Sequence, residues 1–314
     1  MTKSDHLTEL KEKLKRICEK TCIEKRHFHL TEETLTAHPE LIDRELPSLD
    51  TRIDMVATAV PKLAHAATTK AIAEWSRPAT DITHLVFSTY SACQAPSADL
   101  QLALLLGLRP TVCRTILSLR GCYGGGRALH LAKQLAENNH GARVLVACSE
   151  MTLVCFGGPD GSNLIGHALF GDGAGAVIVG AGPFREGERP LFEMVPTLIA
   201  RNVERCLAHA FSSSGEAPCS WNDLFWAVHP GGRPILDNID TVLKLEPGKL
   251  AASRQVLREY GNMSGATIVF VLDELRRRAL PEWGAMLAFG PGITIEAMVL
   301  RSPRAPSLNT APHT

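Results

Sequence analysis

Residues 112–136 carry the stretch that decides the fold: VCRTILSL (112–119), then Arg120-Gly121-Cys122-Tyr123-Gly124-Gly125-Gly126, then a helical run with Ala128, Leu129, Leu131, Ala132, Leu135 and Ala136. The first part is strand-like, a glycine-rich turn follows, and 126–137 reads as a helix apolar on most sides. Such a helix belongs in the middle of a layered fold, because a helix without a polar face must be covered all round. A strand, a glycine turn and a buried helix in succession are an α/β unit.

The same logic extends outward in both directions. Upstream, 65–75 (HAATTKAIAEW) reads as a helix, Pro78 and Asp81 mark a turn, and 84–88 (HLVFS) is a strand. The run 99–106 (DLQLALLL) predicts a short helix apolar enough to be buried. Downstream, Gly141 opens a strand at 143–148 (RVLVAC), and 171–180 (GDGAGAVIVG) is a glycine turn into another strand. The second half repeats the alternation, with a helix at 202–211, a buried strand at 223–228, helices at 233–243, 251–260 and 267–278, and strands at 283–289 and 293–301 joined at Gly290-Pro291-Gly292. Near the start, Leu7, Leu10, Leu14 and Ile17 form the seam of an amphipathic helix. The stretch after Ser302, rich in Pro, Ser and Thr, reads as a disordered tail.

Composition narrows the functional classes. The 314 residues hold 33 basic and 33 acidic side chains, a net charge of zero, with 45% apolar and 21% charged residues. Disorder needs lower hydrophobicity and higher net charge, and a dedicated nucleic-acid binder needs a basic field. No stretch reaches the roughly 18 apolar residues of a membrane span, and the first residues lack the apolar core of a signal peptide. Neither nucleic acid nor membrane is therefore expected as a partner. The nine cysteines include no CxxC pair, which suits reduced thiols in the cytoplasm. Cys18 and Cys22 share a helix face, but without a second ligand pair no metal site is expected.

Three segments could hold chemistry. Cys122 opens a buried helix, where unpaired N–H groups and the helix dipole favour thiolate; a small core residue beside a packing turn is the competing reading. A nucleotide loop is weaker still: Gly124-x-Gly126-x-x-Leu129 lacks the third glycine, and Gly171-x-Gly173-x-x-Ala176 opens a strand rather than a helix. His229 ends a buried strand before Pro230-Gly231-Gly232, at the strand end where open α/β sheets place their sites; His130 and His167, on apolar runs, read as structural. Asn262 in Tyr260-Gly261-Asn262-Met263-Ser264-Gly265 is by itself a capping cluster. Taken together, a cysteine, a histidine and an asparagine amide suit thioester chemistry, since imidazole and amide can both donate to an oxyanion. Lys13, Arg16 and Lys20 lie on one helix and read either as a solvated face or as a phosphate contact.

These segments match a known family. GCYGGGRAL around Cys122, ALFGDGAGAVIVG at 168–180, FWAVHPGG around His229, YGNMSG around Asn262 and AFGPGITIE at 288–296 occur in the order seen in plant type III polyketide synthases. The chain resembles these chalcone synthase-like enzymes from about Thr2 to Arg301. The resemblance implies a thiolase-like layered α/β fold of two similar halves (α-β-α-β-α), with mixed sheets around buried helices. The expected halves are 1–185, with the nucleophile, and 186–302, with His229 and Asn262; 303–314 is the tail. Cys122 would take an acyl starter from coenzyme A, and His229 and Asn262 would polarise the malonyl thioester during decarboxylation. Substrates are an acyl-CoA starter and malonyl-CoA, no cofactor is expected, and a homodimer is. The resemblance further implies coenzyme A contacts at Lys13, Arg16 and Lys20, and a gatekeeper at Phe170. Tyr90, Thr152, Cys155, Ser264, Phe289, Gly290, Pro291 and Gly292 would contact substrate.

GCYGGGRAL and LDELRRR look most like the curcuminoid-forming members, which join hydroxycinnamoyl starters through one malonyl unit. Tyr90 stands where relatives often have a small hydroxyl residue, Cys155 where many have Thr, and Ala95 where chalcone-forming enzymes insert Met into the partner's cavity. A bulkier wall argues for short products. The chain also departs from the pattern: relatives carry an extra segment before the equivalent of Thr2, a long insertion between Met194 and Val195 with a second gatekeeper aromatic, and a few residues between Leu280 and Pro281. A naturally shortened chain could keep its triad while its cavity opens to solvent, so a catalytically impaired partner subunit is one alternative. A ketoacyl synthase of fatty-acid initiation shares the three residue types, although AFGPG and the basic helix tilt against it.

Overall fold

A computed structural model of the chain describes residues 3–195, 211, 220–292 and 294–303. The helices are α1 (Lys3–Thr21), α2 (Glu32–Ala37), α3 (Leu49–Trp75), α4 (Ala98–Leu105), α5 (Gly124–Asn138), α6 (Leu164–Leu169), α7 (Arg233–Val242), α8 (Ala251–Tyr260) and α9 (Thr267–Leu275). One sheet holds β1 (His84–Thr89), β2 (Cys113–Ser118), β3 (Arg143–Glu150) and β4 (Gly173–Gly180) in the order β2-β1-β3-β4. The other holds β5 (Glu193–Met194), β6 (Phe225–Val228), β7 (Trp283–Gly290) and β8 (Thr294–Arg301) in the order β5-β8-β7-β6.

The two sheets share a plan. In the first, β1 runs parallel to β3 and β4 returns antiparallel to β3. In the second, β6 runs parallel to β7 and β8 returns antiparallel to β7. Strand β3 is buried at all eight positions, which is why its sequence is a continuous apolar run rather than an alternation.

Between the sheets lie α5 and α9. Ala128, Leu129 and Ala132 of α5 and Ile268 and Val271 of α9 share one core with Val86, Val144 and Val146 of the first sheet and Met286 and Met298 of the second. Helices α3 and α4 cover the outer face of the first sheet, packing Val56, Val60 and Leu102 against Leu85, Phe87 and Leu145. Helices α7 and α8 cover the second, with Leu236, Ile239 and Leu257 against Trp226, Val228, Leu287 and Val299. The result is the five-layer α-β-α-β-α arrangement that the sequence implied.

Local readings fail where tertiary burial overrides them. Helix α3 begins at Leu49, sixteen residues before the start read from sequence, and runs through Pro61. An interior proline loses a hydrogen bond and costs roughly 3 kcal/mol, but Val56, Ala59, Val60 and Ala64 are buried on both sides of it. Helix α4 is less buried than its sequence predicts: Ala98, Asp99, Leu102 and Ala103 face the core, while Leu104 is 72% and Leu105 49% exposed. The strand read at 223–228 begins at Phe225, because Trp221–Asp223 forms a single turn capped by Ser220. The helix read at 202–211 lies, Phe211 apart, outside the described residues, as do Ile293 and the tail beyond 303. Among the described residues no helix is long and apolar enough to cross a membrane.

Candidate active site

The turn Gly121–Tyr123 joins β2 to α5 and presents Cys122 just ahead of the helix. Gly125 explains the glycine run that follows it: a Cβ there would stand 2.0 Å from the carbonyl oxygen of Gly265. The cysteine turn and the asparagine loop thus touch backbone to backbone, closer than any side chain allows. On the other side, a Cβ on Gly290 would stand 2.3 Å from Cδ1 of Tyr123, so the Gly290-Pro291-Gly292 turn walls the same site.

Asn262 enters from the C-terminal end of α8. Its Oδ1 accepts from the Ser264 N–H at 2.8 Å, and its Nδ2 donates to the Gly231 carbonyl at 3.2 Å. These two bonds fix which way the amide points. Nδ2 then lies 3.8 Å from Cys122 Sγ, and the thiol reaches Oδ1 at 3.9 Å. Ser264 is held at φ +51°, a left-handed conformation that costs a non-glycine residue about 1 kcal/mol or more and recurs at functional sites.

His229 sits at the C-terminal end of β6, fully buried. Its backbone N–H donates to Leu287 at 2.8 Å, which pins it to β7. Neither ring nitrogen has a hydrogen-bond partner among the described residues. Burial pushes its pKa down to about 4, so the imidazole is neutral near pH 7. A Gly231 Cβ would come within 3.8 Å of His229 Nε2, and the Gly231 carbonyl already holds Asn262. The structure therefore brings Cys122 and Asn262 side by side, and His229 stands two residues before Gly231, whose carbonyl accepts from Asn262.

One expectation is corrected. The helix N-terminus was expected to favour thiolate, yet the Cys122 thiol is pushed up, chiefly by burial; hydrogen bonds with Ser264 and Asn262 oppose this, and the charge of Glu150 adds to it. Desolvation disfavours the charged form of this half-buried thiol. Glu150 is a residue that sequence reasoning missed. It ends β3, wholly buried, and its Oε2 accepts from the Tyr90 N–H at 2.8 Å and the Ser91 and Thr89 hydroxyls at 3.3 Å. Burial raises its carboxyl to about 8. The available signal was an acidic residue closing an otherwise apolar strand, since glutamate is almost never buried without partners.

Phe170 follows α6 and is tied to the site through its backbone. The Asn262 N–H donates to Leu169 at 2.9 Å and the Gly171 N–H to Asn262 at 3.1 Å, a parallel bridge between 170 and 262. Tyr90 is half-buried and its hydroxyl is pushed up by burial and by Glu150. Thr152 is buried, with both its N–H and hydroxyl given to Asp172 at 2.6 and 2.8 Å, so that hydroxyl serves the fold. Cys155, Pro291 and Gly292 are exposed, and Phe289 and Gly290 half-buried. Lys13, Arg16 and Lys20 are exposed along α1, away from the three central residues, on a helix that packs against α6. No cluster of three or more His, Cys, Asp or Glu side chains is placed to hold a metal among the described residues.

The family model for the N-terminal domain of chalcone and stilbene synthases matches residues 1–183, and that for the C-terminal domain matches 188–303. Bisdemethoxycurcumin synthase from Oryza sativa subsp. japonica is 52% identical over 346 aligned positions, covering 96% of this chain and 86% of that protein. The alignment is longer than the 314 residues of this chain, so the relative carries stretches that this chain skips.

Proposed function

The chain belongs to the chalcone and stilbene synthase family, the plant type III polyketide synthases, and is an acyltransferase; from that premise we propose how its residues divide the work. Cys122 takes the starter acyl group from its CoA thioester. His229, neutral and with neither ring nitrogen hydrogen-bonded among the described residues, and Asn262, whose amide is locked toward Cys122, polarise the malonyl thioester carbonyl. Loss of carbon dioxide leaves the enolate of acetyl-CoA, whose carbon attacks the Cys122 thioester; the C–S bond breaks, Cys122 leaves as thiolate, and the acyl group, two carbons longer, is carried on CoA. The carrying observation is the approach of the Asn262 amide to Cys122, with the same amide held by the carbonyl of Gly231, two residues after His229.

The starter in this reading is a hydroxycinnamoyl thioester and the products are short diketide or curcuminoid-type polyketides. The rice relative's name and the half-buried Tyr90 beside the site support it. Phe170, Ser264, Tyr90, Cys155, Phe289 and the Gly290-Pro291-Gly292 turn line the substrate path, and Thr152 supports it through Asp172. Lys13, Arg16 and Lys20 meet the phosphates of coenzyme A. The reaction uses no cofactor beyond its CoA substrates, since decarboxylation drives it. Residues 1–185 and 186–302 are the two halves. We read the protein as a homodimer: β2 is an edge strand with Cys113, Arg114 and Thr115 exposed, and Leu119 beyond it is 72% exposed, an unprotected edge of the kind that pairs with another chain. Its free cysteines suit the cytoplasm.

A second reading rests on the stretches this chain skips. If they cost it part of the cavity wall, it is an impaired partner subunit. Incubation with p-coumaroyl-CoA and labelled malonyl-CoA tests both. Labelled product from the wild type and none from Cys122→Ala is expected. Equal signal from both overturns the proposed chemistry, and a dimer with no acyl mass on Cys122 favours the partner-subunit reading.

A further inference from the structure

Arg26 lies outside every motif in the sequence, yet it stands at the junction of the two loops that carry Phe170 and Asn262. It is half-buried. Its Nη1 donates to the His167 carbonyl and lies 3.4 Å from the Phe170 carbonyl. Both oxygens belong to the C-terminal end of α6, where helix carbonyls have no partner within the helix. Between those two residues, the Leu169 carbonyl accepts from the Asn262 N–H at 2.9 Å. The guanidinium thus grips the segment from which the backbone of Asn262 hangs.

The stem of the side chain reaches the second loop. A Cβ on Gly261 would stand 2.9 Å from Arg26 Cγ, and one on Gly171 would stand 3.4 Å from Arg26 Cβ, so the glycines flanking Phe170 and Asn262 leave room for it. The residues before it anchor it to α8: the N–H groups of Glu24 and Lys25 both donate to the Arg258 carbonyl, at 2.8 and 3.1 Å. Segment 24–26 therefore clips the end of α6 and the end of α8 together. One of these leads into Phe170 and the other into Asn262.

We propose that Arg26 is a positioning residue for the extension step, holding the Asn262 amide and the Phe170 wall in register through the carbonyls of His167 and Phe170. The proposal rests on the role given to Asn262 above. Cys122 is carried by the separate 120–125 turn, which meets Gly265 backbone to backbone without passing through Arg26, so starter loading is the less affected step. Decarboxylation, which uses the Asn262 amide, does.

The test compares wild type, Arg26→Lys and Arg26→Ala. Acyl mass on Cys122 after p-coumaroyl-CoA reads loading, and carbon dioxide release from malonyl-CoA reads decarboxylation. Arg26→Ala is expected to load within about twofold of wild type while kcat for decarboxylation falls ~10-fold, since small misplacements of a catalytic group cost one to two orders of magnitude. Arg26→Lys, with a point donor in place of a fork, should fall between. If Arg26→Ala does not fold, Arg26→Lys decides: a lowered kcat with starter loading intact supports the proposal. Wild-type kcat in whichever variant folds overturns it, even if the melting temperature drops. Failure of the wild type to load starter overturns the proposed chemistry, and this assignment with it.

Discussion

Asn262 Nδ2 stands 3.8 Å from Cys122 Sγ across 140 residues of chain, with its amide locked by Ser264 on one side and Gly231 on the other. An aspartate at this position would keep the acceptor oxygen and lose the donor, and would place a carboxylate in a site that is almost fully buried. Asn262→Asp is expected to lower malonyl-CoA decarboxylation by about 100-fold, the usual effect of removing one oxyanion donor. Near-wild-type carbon dioxide release would remove Asn262 from the reaction.

Gly125 is required by contact rather than by backbone angle. With Gly265 O only 2.0 Å from its would-be Cβ, Gly125→Ala must push apart the two loops that bring Cys122 to Asn262. A loss of about 3 kcal/mol is expected from such overpacking, read by denaturant unfolding, together with loss of starter loading. A variant of unchanged midpoint would mean the loops separate freely.

His229 makes stability fall as the pH drops. Its pKa is near 6.5 in the unfolded chain and about 4 in the folded one. The unfolded state binds the extra proton between those values, so this contribution is full above pH 6.5 and is lost as pH falls through 4. The shift corresponds to about 3 kcal/mol. Glu150, raised to about 8, acts in the opposite sense over the same range, so the reading is a difference: on going from pH 7 to pH 4.5 the urea midpoint of wild type should fall relative to that of His229→Gln. An equal drop in both proteins would place the acid sensitivity elsewhere.

Glu150 acts on the nucleophile through its charge. Burial is the main reason the Cys122 thiol is raised, and Glu150 raises it further. Above pH 8, where the Glu150 carboxyl ionises, Glu150→Gln should make Cys122 easier to deprotonate. Alkylation by iodoacetamide at pH 9, followed by mass at Cys122, is expected to run ~3-fold faster in the variant, because the thiolate is the reactive form. Identical rates would show that the carboxylate field does not reach the sulfur.

Much of the fold and of the site is legible in the chain itself. The apolar stretch 144–148 of β3 and the many apolar positions of α5 announce buried layers, and the glycine and Pro-Gly turns after β2, β6 and β7 mark the strand ends where the site lies. Local sequence does not show the effects decided by neighbours distant in the chain. Pro61 reads as a breaker, but the burial of α3 overrides it. Leu104 and Leu105 read as core, yet they face outward because α4 has only one covered side. The thiol of Cys122 reads as activated by a helix, yet its enclosure raises it.

The division between sequence and structure is therefore physical. Periodicity and turn chemistry determined an α/β alternation, and the resemblance carried by five ordered motifs pointed to the layered fold, the family and the candidates Cys122, His229 and Asn262, because each motif is written in contiguous residues. Only the tertiary structure decided that Gly125 meets Gly265, that Asn262 reaches both Cys122 and the Gly231 carbonyl, that Glu150 is buried near the nucleophile, and that Arg26 clips Phe170 to Asn262. These are contacts between residues far apart in the chain, whose strength depends on burial, and burial is a property of the whole fold rather than of any segment.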